Sequence, residues 1–364
     1  MKAKIIHITQ ASGGVKTFIL NIFKASNIEL EHILISSDRD FCDEVEKLKR
    51  NNKFYFVKMT RGLSLFIDIY SLIRIFVIVN KEKPCIIHCH SAKGGAIGRI
   101  VSLFTNTKCV FTPNAFSYIG FVGFRYKFYL GIEKFLKKFT TLLLAVSESE
   151  RLRAKNEVGY KDNKIQVVPN SIFVKKKDLK KHDEITIGMI GRLTFQKNPI
   201  EYIKLANEIK LKGFNIRFIL KGAGYHDYLR EEVNELITKL NIQDIIEIES
   251  WDKSMSVENF YNTIDIFILT SRFEGLPFSL LESMSYKVPS IVSNVDGNKD
   301  VISHGYDGFV YNSFEELVKF TELLIKDVGY RLNMGDNAHK TIDSKFNIEK
   351  NIFMIDKLYF NLAN

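Results

Sequence analysis

Cysteine, proline and tryptophan are scarce in this chain of 364 residues, at four, six and one. The cysteines (Cys42, Cys85, Cys89, Cys109) form no CxxC pair. That argues against a zinc ribbon or a disulfide scaffold and for free thiols in a reducing compartment. Neither GxxxxGK[ST] nor GxGxxG occurs, which removes the Walker phosphate loop and the usual dinucleotide fingerprint. No uninterrupted apolar run reaches bilayer length. Leu63–Val79 comes near it, but Asp68 and Arg74 break it, and central charges make spanning costly. A buried or interfacial helix is expected there. Met1–Thr9 reads as a strand entering a loop, so no signal peptide is expected. No internal repeat or low-complexity segment stands out. His88 and His90 flank Cys89, and alternation puts both rings on one strand face. With no carboxylate or further histidine nearby in the sequence this is weak metal geometry, and no metal is expected.

What is present is ordinary globular composition, 46% hydrophobic and 26% charged, with a net charge of +10. The charge is uneven. Residues 1–170 hold 27 Lys and Arg against 14 Asp and Glu, and the remainder 25 against 28. A polyanionic surface facing the first half is implied, with membrane and nucleic acid as the candidates. The segment Phe116–Phe139 concentrates rings and cations (Arg125, Lys127, Lys134, Lys137, Lys138), a composition suited to a lipid headgroup interface. A core helix with a solvated basic face is the competing account.

Short β-branched runs alternate with helical patterns twice. The first series runs from Lys4–Ile8 to Thr141–Val146 and closes at Gln166–Ile172. The second restarts at Ile185–Ile190 and includes Phe218–Leu220, Ile264–Thr270 and Pro289–Ser293. Two such series predict an α/β chain of two doubly wound, Rossmann-like domains. The expected bounds are 1–172, a lysine-rich linker over 173–184, 185–345, and a helix over 346–364 packing back on the first domain.

Several strand-to-helix turns carry residues suited to phosphate and sugar. Gly13 and Gly14 follow the first strand, where glycine lets backbone approach a ligand. Arg192 and Lys197 share one loop before Asn198-Pro199, an N-cap and first-turn pair. In Ser271-Arg-Phe-Glu-Gly-Leu-Pro-Phe-Ser-Leu-Leu-Glu282, Pro277 opens a helix. The amides of Phe278, Ser279 and Leu280 then form an anion-binding end, bracketed by Glu274 and Glu282, whose carboxylates accept hydrogen bonds from sugar hydroxyls.

The glutamate pair, with Gly275 and Pro277 between them, resembles that of the retaining family 4 glycosyltransferases, which have the GT-B fold. Gly13-Gly14, the Gly191-Arg192…Lys197 pair and Gly305–Val310 fit the same family, in family order. Val168-Pro-Asn170 matches a further segment with Ser171 where glycine is common, and relatives often place Gly-Trp where Ser250-Trp251 stands. The resemblance implies transfer of a sugar from a nucleoside-diphosphate sugar held in an inter-domain cleft. Glu274 and the amides after it would contact the sugar, Glu282 the ribose, and Arg192 and Lys197 the diphosphate, with no metal. Asn114 stands where many members carry a histidine, so any role needing a titratable group is in doubt there. His90 is the nearest alternative, against a structural role for it. The acceptor is expected to be a lipid-linked glycan, and the protein to sit on the inner, anionic face of the membrane and to bind no nucleic acid. Two rivals stand beside this reading. A nucleotide-sugar epimerase of the same fold would form product without acceptor, and a basic nucleic-acid-binding protein would show steep salt dependence.

Overall fold

The structure, a computed structural model, describes residues 3–10, 13–48, 52–60, 62–175, 184–224, 227–250 and 256–364. Most of the lysine-rich linker and Trp251 lie outside them. The chain divides into two compact units: Met1–Phe173 with Ile348–Asn364, and Val174–Asn347.

The first unit is built on seven parallel strands: β1 (Ala3–Thr9), β2 (Leu30–Ser36), β3 (Lys53–Phe56), β4 (Ile86–His90), β5 (Lys108–Thr112), β6 (Leu142–Ala145) and β7 (Ile165–Val167). Their order is β3-β2-β1-β4-β5-β6-β7. The chain moves outward from β1 in one direction, then returns beside it at β4. That reversal opens a crevice at the carboxyl ends of β1 and β4. β4 is buried throughout and β1 from Ile5 onward, because helices cover both faces. The helix Ser91–Thr105 is drawn close to the sheet by glycine. A Cβ on Gly94 would lie 2.6 Å from the Ile8 carbonyl oxygen, one on Gly95 2.4 Å from the Phe111 ring, and one on Gly98 2.6 Å from the Cys89 Cβ. The C-terminal helix Ile348–Ala363 buries Ile348, Ile352, Ile355, Leu358 and Tyr359 in this unit.

The second unit has six parallel strands: β8 (Thr186–Ile190), β9 (Arg217–Ala223), β10 (Ile246–Ser250), β11 (Ile266–Leu269), β12 (Ser290–Ser293) and β13 (Gly308–Tyr311). They are ordered β10-β9-β8-β11-β12-β13, so the reversal falls between β8 and β11. Ile187, Met189, Phe218, Leu220, Ile266, Ile268 and Ile291 anchor its core together with Tyr202. The Tyr202 hydroxyl is satisfied by the carbonyls of Ile187 and Ile219 at 2.8 and 3.1 Å.

The apolar stretch near residues 63–79 forms the helix Leu65–Glu82. Ser71, Ile75, Ile78 and Val79 face the core, while Phe66, Ile73 and Val77 are 86, 59 and 54% exposed. No helix among the described residues is long and apolar enough to cross a membrane. The aromatic segment 116–139 splits. Phe116 and Tyr118 are buried, and Phe124, Phe128 and Phe135 on the helix Gly123–Leu136 are exposed. Lys137 is withdrawn from the basic face, because its ammonium donates to the carbonyls of Val158 and Gly159 at 2.9 and 2.8 Å.

Candidate active site

In the second unit the loops leaving β8 and β11 meet at the sheet's reversal. The Thr270 hydroxyl donates to the carbonyls of Lys197 and Asn198 at 3.0 and 2.9 Å. The Arg272 N–H donates to the Gln196 carbonyl at 2.8 Å, and Gln196 Nε2 returns a bond to the Phe273 carbonyl at 3.1 Å. This lacing brings Lys197 Nζ to 2.6 Å from Glu274 Oε1. Glu274 is buried, and a buried carboxylate is retained when a cation pairs with it. Arg192 lies half-buried in the same β8 loop. Asn198 is no side-chain cap: it sits in the left-handed region at φ 51°, its Nδ2 donates to Glu201, and its Oδ1 accepts from Arg272.

The helix Phe278–Ser285 begins one residue after Pro277. The amides of Phe278 and Ser279 have no acceptor among the described residues, as a helix start requires of its first N–H groups. Leu280 differs from expectation, because its N–H already reaches the Pro277 carbonyl at 3.2 Å in a tightened first turn. Glu282 lies one turn in, half-buried, and accepts the Tyr261 hydroxyl at 2.9 Å. Burial pushes its carboxyl up to about 7, against the Tyr261 bond and the Lys175 charge, which pull it down. Three hydroxyl oxygens around this loop cluster are buried without a partner among the described residues: Thr194, Ser271 and Ser279. Buried polar groups are ordinarily bonded, so three orphans at one end of one sheet mark a surface shaped for a polar ligand. Gly297 completes the wall. At φ 81° it passes so near Gly275 that a Cβ would lie 2.4 Å from the Gly275 carbonyl oxygen.

In the first unit Gly13 adopts φ 71° and precedes the helix Gly14–Ala25, of which Gly14 is the first residue. No atom would obstruct a Cβ there, so conformation rather than space selects glycine. Asn114 and Ala115, after β5, both have positive φ, at 51° and 73°. Such strain persists in non-glycine residues where the surroundings hold it: the Ala115 N–H is fixed by Glu150 Oε1 at 2.8 Å. The Asn114 Nδ2 is buried without a partner among the described residues. Gly13, Gly14 and Asn114 thus belong to the first unit, and Arg192, Lys197, Glu274, Gly275, Phe278, Ser279, Leu280 and Glu282 to the second.

Comparison with known proteins settles the class. The model described as Glycosyltransferase Family 4 matches residues 12–175, and that described as Glycosyl transferases group 1 matches residues 171–341. The chain belongs to glycosyltransferase family 4. The transferase is 29% identical over 329 residues to the UDP-Gal:alpha-D-GlcNAc-diphosphoundecaprenol alpha-1,3-galactosyltransferase of Escherichia coli, covering 85% of this chain and 84% of that one. It is 26% identical to the capsular polysaccharide biosynthesis glycosyltransferase CapM of Staphylococcus aureus, covering 94% and 93%. Its fold matches the crystal structure of Anabaena HepE in complex with UDP and glucose, with TM-score 0.83 at 16% identity over 99% of this chain and 100% of that one. The fold is therefore GT-B.

Sequence reasoning did not reach Thr194, Ser271, Tyr261 or the closeness of Gly297 to Gly275 in the transferase. Only Gly297 carried a signal, a glycine soon after a strand. The histidines also differ from expectation. Pairing of β1 with β4 sets His7 opposite His88, so a third imidazole joins His88 and His90, and His32 follows it. Asp38-Arg39-Asp40 has the Asp-x-Asp spacing after β2, but Asp38 caps the helix Arg39–Lys47 by accepting the Phe41 N–H at 3.1 Å.

Proposed function

We propose that the enzyme moves a sugar from a nucleoside-diphosphate sugar to a lipid-linked glycan, retaining the anomeric configuration, in surface polysaccharide synthesis. The observation that carries this reading is the Lys197–Glu274 pair at 2.6 Å beside the open amides of the helix Phe278–Ser285. Cation and helix end supply positive charge for a diphosphate. Glu274 and Glu282 supply acceptors on either side for sugar and ribose hydroxyls. As the bond to the leaving phosphate breaks, negative charge grows where Arg192, Lys197 and the amides of Phe278 and Ser279 are already oriented, and such preorganisation is usually the largest catalytic term. Glu274 orients the sugar and offsets positive charge at its anomeric carbon. Asn114 offers a hydrogen-bond donor and no proton acceptor, so its part is to hold a hydroxyl. These groups take the place of a metal.

The donor class follows the relatives: the Escherichia coli enzyme is named for UDP-Gal and a diphosphoundecaprenol acceptor, and HepE was crystallised with UDP. The first unit adds its own support for a lipid-linked acceptor. The exposed face of the helix Leu65–Glu82 presents Leu65, Phe66, Ile69, Ile73 and Val77, and Phe124, Phe128 and Phe135 stand exposed on Gly123–Leu136. With Arg74, Arg125, Lys127, Lys134 and Lys138 in the same two segments, this is the composition of a face that settles on an anionic leaflet. Thermal stability with a panel of nucleotide sugars tests the donor, because a ligand that binds only the native state raises the midpoint. A shift with UDP- or GDP-sugars, and product only when a polyprenyl-diphosphate glycan is added, is the expected result. Product without acceptor would replace this reading with an epimerase.

A further inference from the structure

In the second unit, on the far side of β8 from the glutamate loop, the carboxyl ends of β9 and β10 carry an ion pair that the donor chemistry above leaves unused. Lys221 Nζ lies 3.2 Å from Glu249 Oε2, with the lysine side chain 1% and the glutamate side chain 9% exposed. The pair therefore opens outward on the Glu249 side. Its surroundings are apolar: Ile219 and Ile190 are buried beside it. An ion pair taken out of water is seldom more stable than an apolar pair of the same volume, so stability alone gives little reason to keep it. The pair is also underbonded. An ammonium has three donors, yet the Lys221 side chain makes one bond among the described residues, at 3.2 Å, long for a charge-assisted contact. Glu249 Oε1 has no partner among them.

The backbone holds this pair at the ligand edge of the sheet. Lys221 and Glu249 are partners in register, and the register slips just after them, so that Ser250 meets Ala223. Gly222 is the residue passed over. Its φ is 125°, and a Cβ on it would lie 2.6 Å from the Gly191 carbonyl oxygen, next to Arg192. Bulges of this kind re-aim side chains beside functional sites. The pair also shares a sheet face with Glu282. Gly188 on β8 is the register partner of Ile219, two residues before Lys221, and residues two apart on a strand face the same way. A Cβ on Gly188 would lie 2.5 Å from Ile264 and 2.8 Å from Phe260, so the helix Val257–Thr263 covers that face. Tyr261 on this helix gives its hydroxyl to Glu282 at 2.9 Å.

A nucleoside diphosphate laid along this edge has a fixed order: phosphates at the β8 loop and the open amides of Phe278 and Ser279, ribose at Glu282, and the base beyond the ribose. We propose that Glu249 reads that base, its Oε1 accepting a ring N–H while Lys221 Nζ holds Oε2; this rests on the donor-site reading above. Uracil carries N3–H and guanine N1–H on the pairing edge, each beside a carbonyl. Cytosine and adenine carry a bare ring nitrogen in the same place. A carboxylate only accepts, so with cytosine or adenine one lone pair faces another. A site built to bond a donor rejects an analogue that lacks it, because its own polar group is then left desolvated and unpaired. Glu249 is the group that discriminates. Lys221 is a positioning residue that fixes one carboxylate oxygen and so aims the other. No proton moves and no bond breaks at the pair; it selects the donor and leaves the transfer to the groups at β8 and β11.

The test is calorimetric titration of the full chain with UDP, GDP, CDP and ADP, with inorganic diphosphate as the probe of the phosphate loop alone. Wild type should bind UDP or GDP about ten- to a hundredfold more tightly than CDP and ADP, the worth of one hydrogen bond to a charged group. The stronger of the UDP and GDP arms tells uracil from guanine. Glu249→Gln can turn its amide either to accept or to donate, so the preference should shrink severalfold, with UDP or GDP losing affinity and CDP gaining it. Lys221→Met combined with Glu249→Leu removes both charges and strands neither. That protein should fold, bind inorganic diphosphate as wild type does, and bind the four nucleotides alike. A pair with a structural role only would change the melting midpoint in these variants and leave the ranking of the four nucleotides intact, which would overturn the proposal. A wild type indifferent to the base, or one preferring CDP or ADP, would overturn it too while the transferase reading stands. Failure to bind any of the four nucleotides or diphosphate would refute the donor-site reading, and the inference would fall with it.

Discussion

Glu282 should make the second unit less stable above neutral pH than the same fold with a neutral side chain there. Its carboxyl is pushed from 4.5 to about 7 by burial. Between those values the folded protein holds a proton that the unfolded chain has released, so stability falls as pH rises through that window and the loss is complete above it. The difference corresponds to about 3 kcal/mol. Glu282 keeps some solvent access, so about 1.5–3 kcal/mol is expected. Glu282→Gln keeps the shape and an acceptor for Tyr261 and cannot ionise. For a unit of this size that gain raises the melting midpoint by roughly 3–12 °C at pH 8, with little difference from wild type at pH 5. The same substitution should weaken UDP or GDP binding roughly ten- to a hundredfold, the loss of a charge-assisted hydrogen bond to ribose. Scanning calorimetry of both proteins at the two pH values, with titration of the nucleotide at pH 8, measures both effects. A variant no more stable than wild type at pH 8, or equally more stable at pH 5, would refute the buried-carboxylate reasoning. Unchanged nucleotide affinity would refute the ribose contact.

Other perturbations test the remaining parts. Turnover should survive EDTA, and its loss with recovery on adding magnesium or manganese would show that the cationic loop does not suffice. Lys197→Met strands the Glu274 carboxylate, so both a stability loss of about 2–4 kcal/mol in urea melts and failure to bind the diphosphate are expected. Gly297→Ala forces a Cβ to 2.4 Å from the Gly275 carbonyl at a positive φ; a stability lower by about 1–3 kcal/mol in urea melts and weaker sugar-nucleotide binding should follow. Wild type should float with phosphatidylglycerol vesicles at low salt and less at high salt. Lys134→Glu with Lys138→Glu, or Phe66→Ser with Ile73→Ser, should reduce flotation while donor binding persists; wild type left in the soluble fraction would remove the membrane from the account.

Local pattern was enough to show the architecture. Strands such as β6 and β11 are apolar throughout because both faces are covered, and glycine or proline marks many of the turns between elements. The same holds for residues whose role comes from one turn: Gly13 at its left-handed position, the helix start after Pro277, and the Arg192–Lys197 loop. What spans two loops or two strands was not legible. The Lys197–Glu274 pair depends on β8 lying next to β11, which the order of the sheet decides. The outward face of Leu65–Glu82 depends on which side of an almost wholly apolar helix meets the core, and such a sequence has little asymmetry to announce it. The buried histidines of the first unit show the limit most clearly. Asp356 and Ser26 are 330 positions apart, and His7, His32 and His90 sit on three different strands. Each alone reads as a polar residue in an apolar run. Only parallel pairing of β1 with β2 and β4, and the return of the last helix onto that sheet, brings them within hydrogen-bond distance.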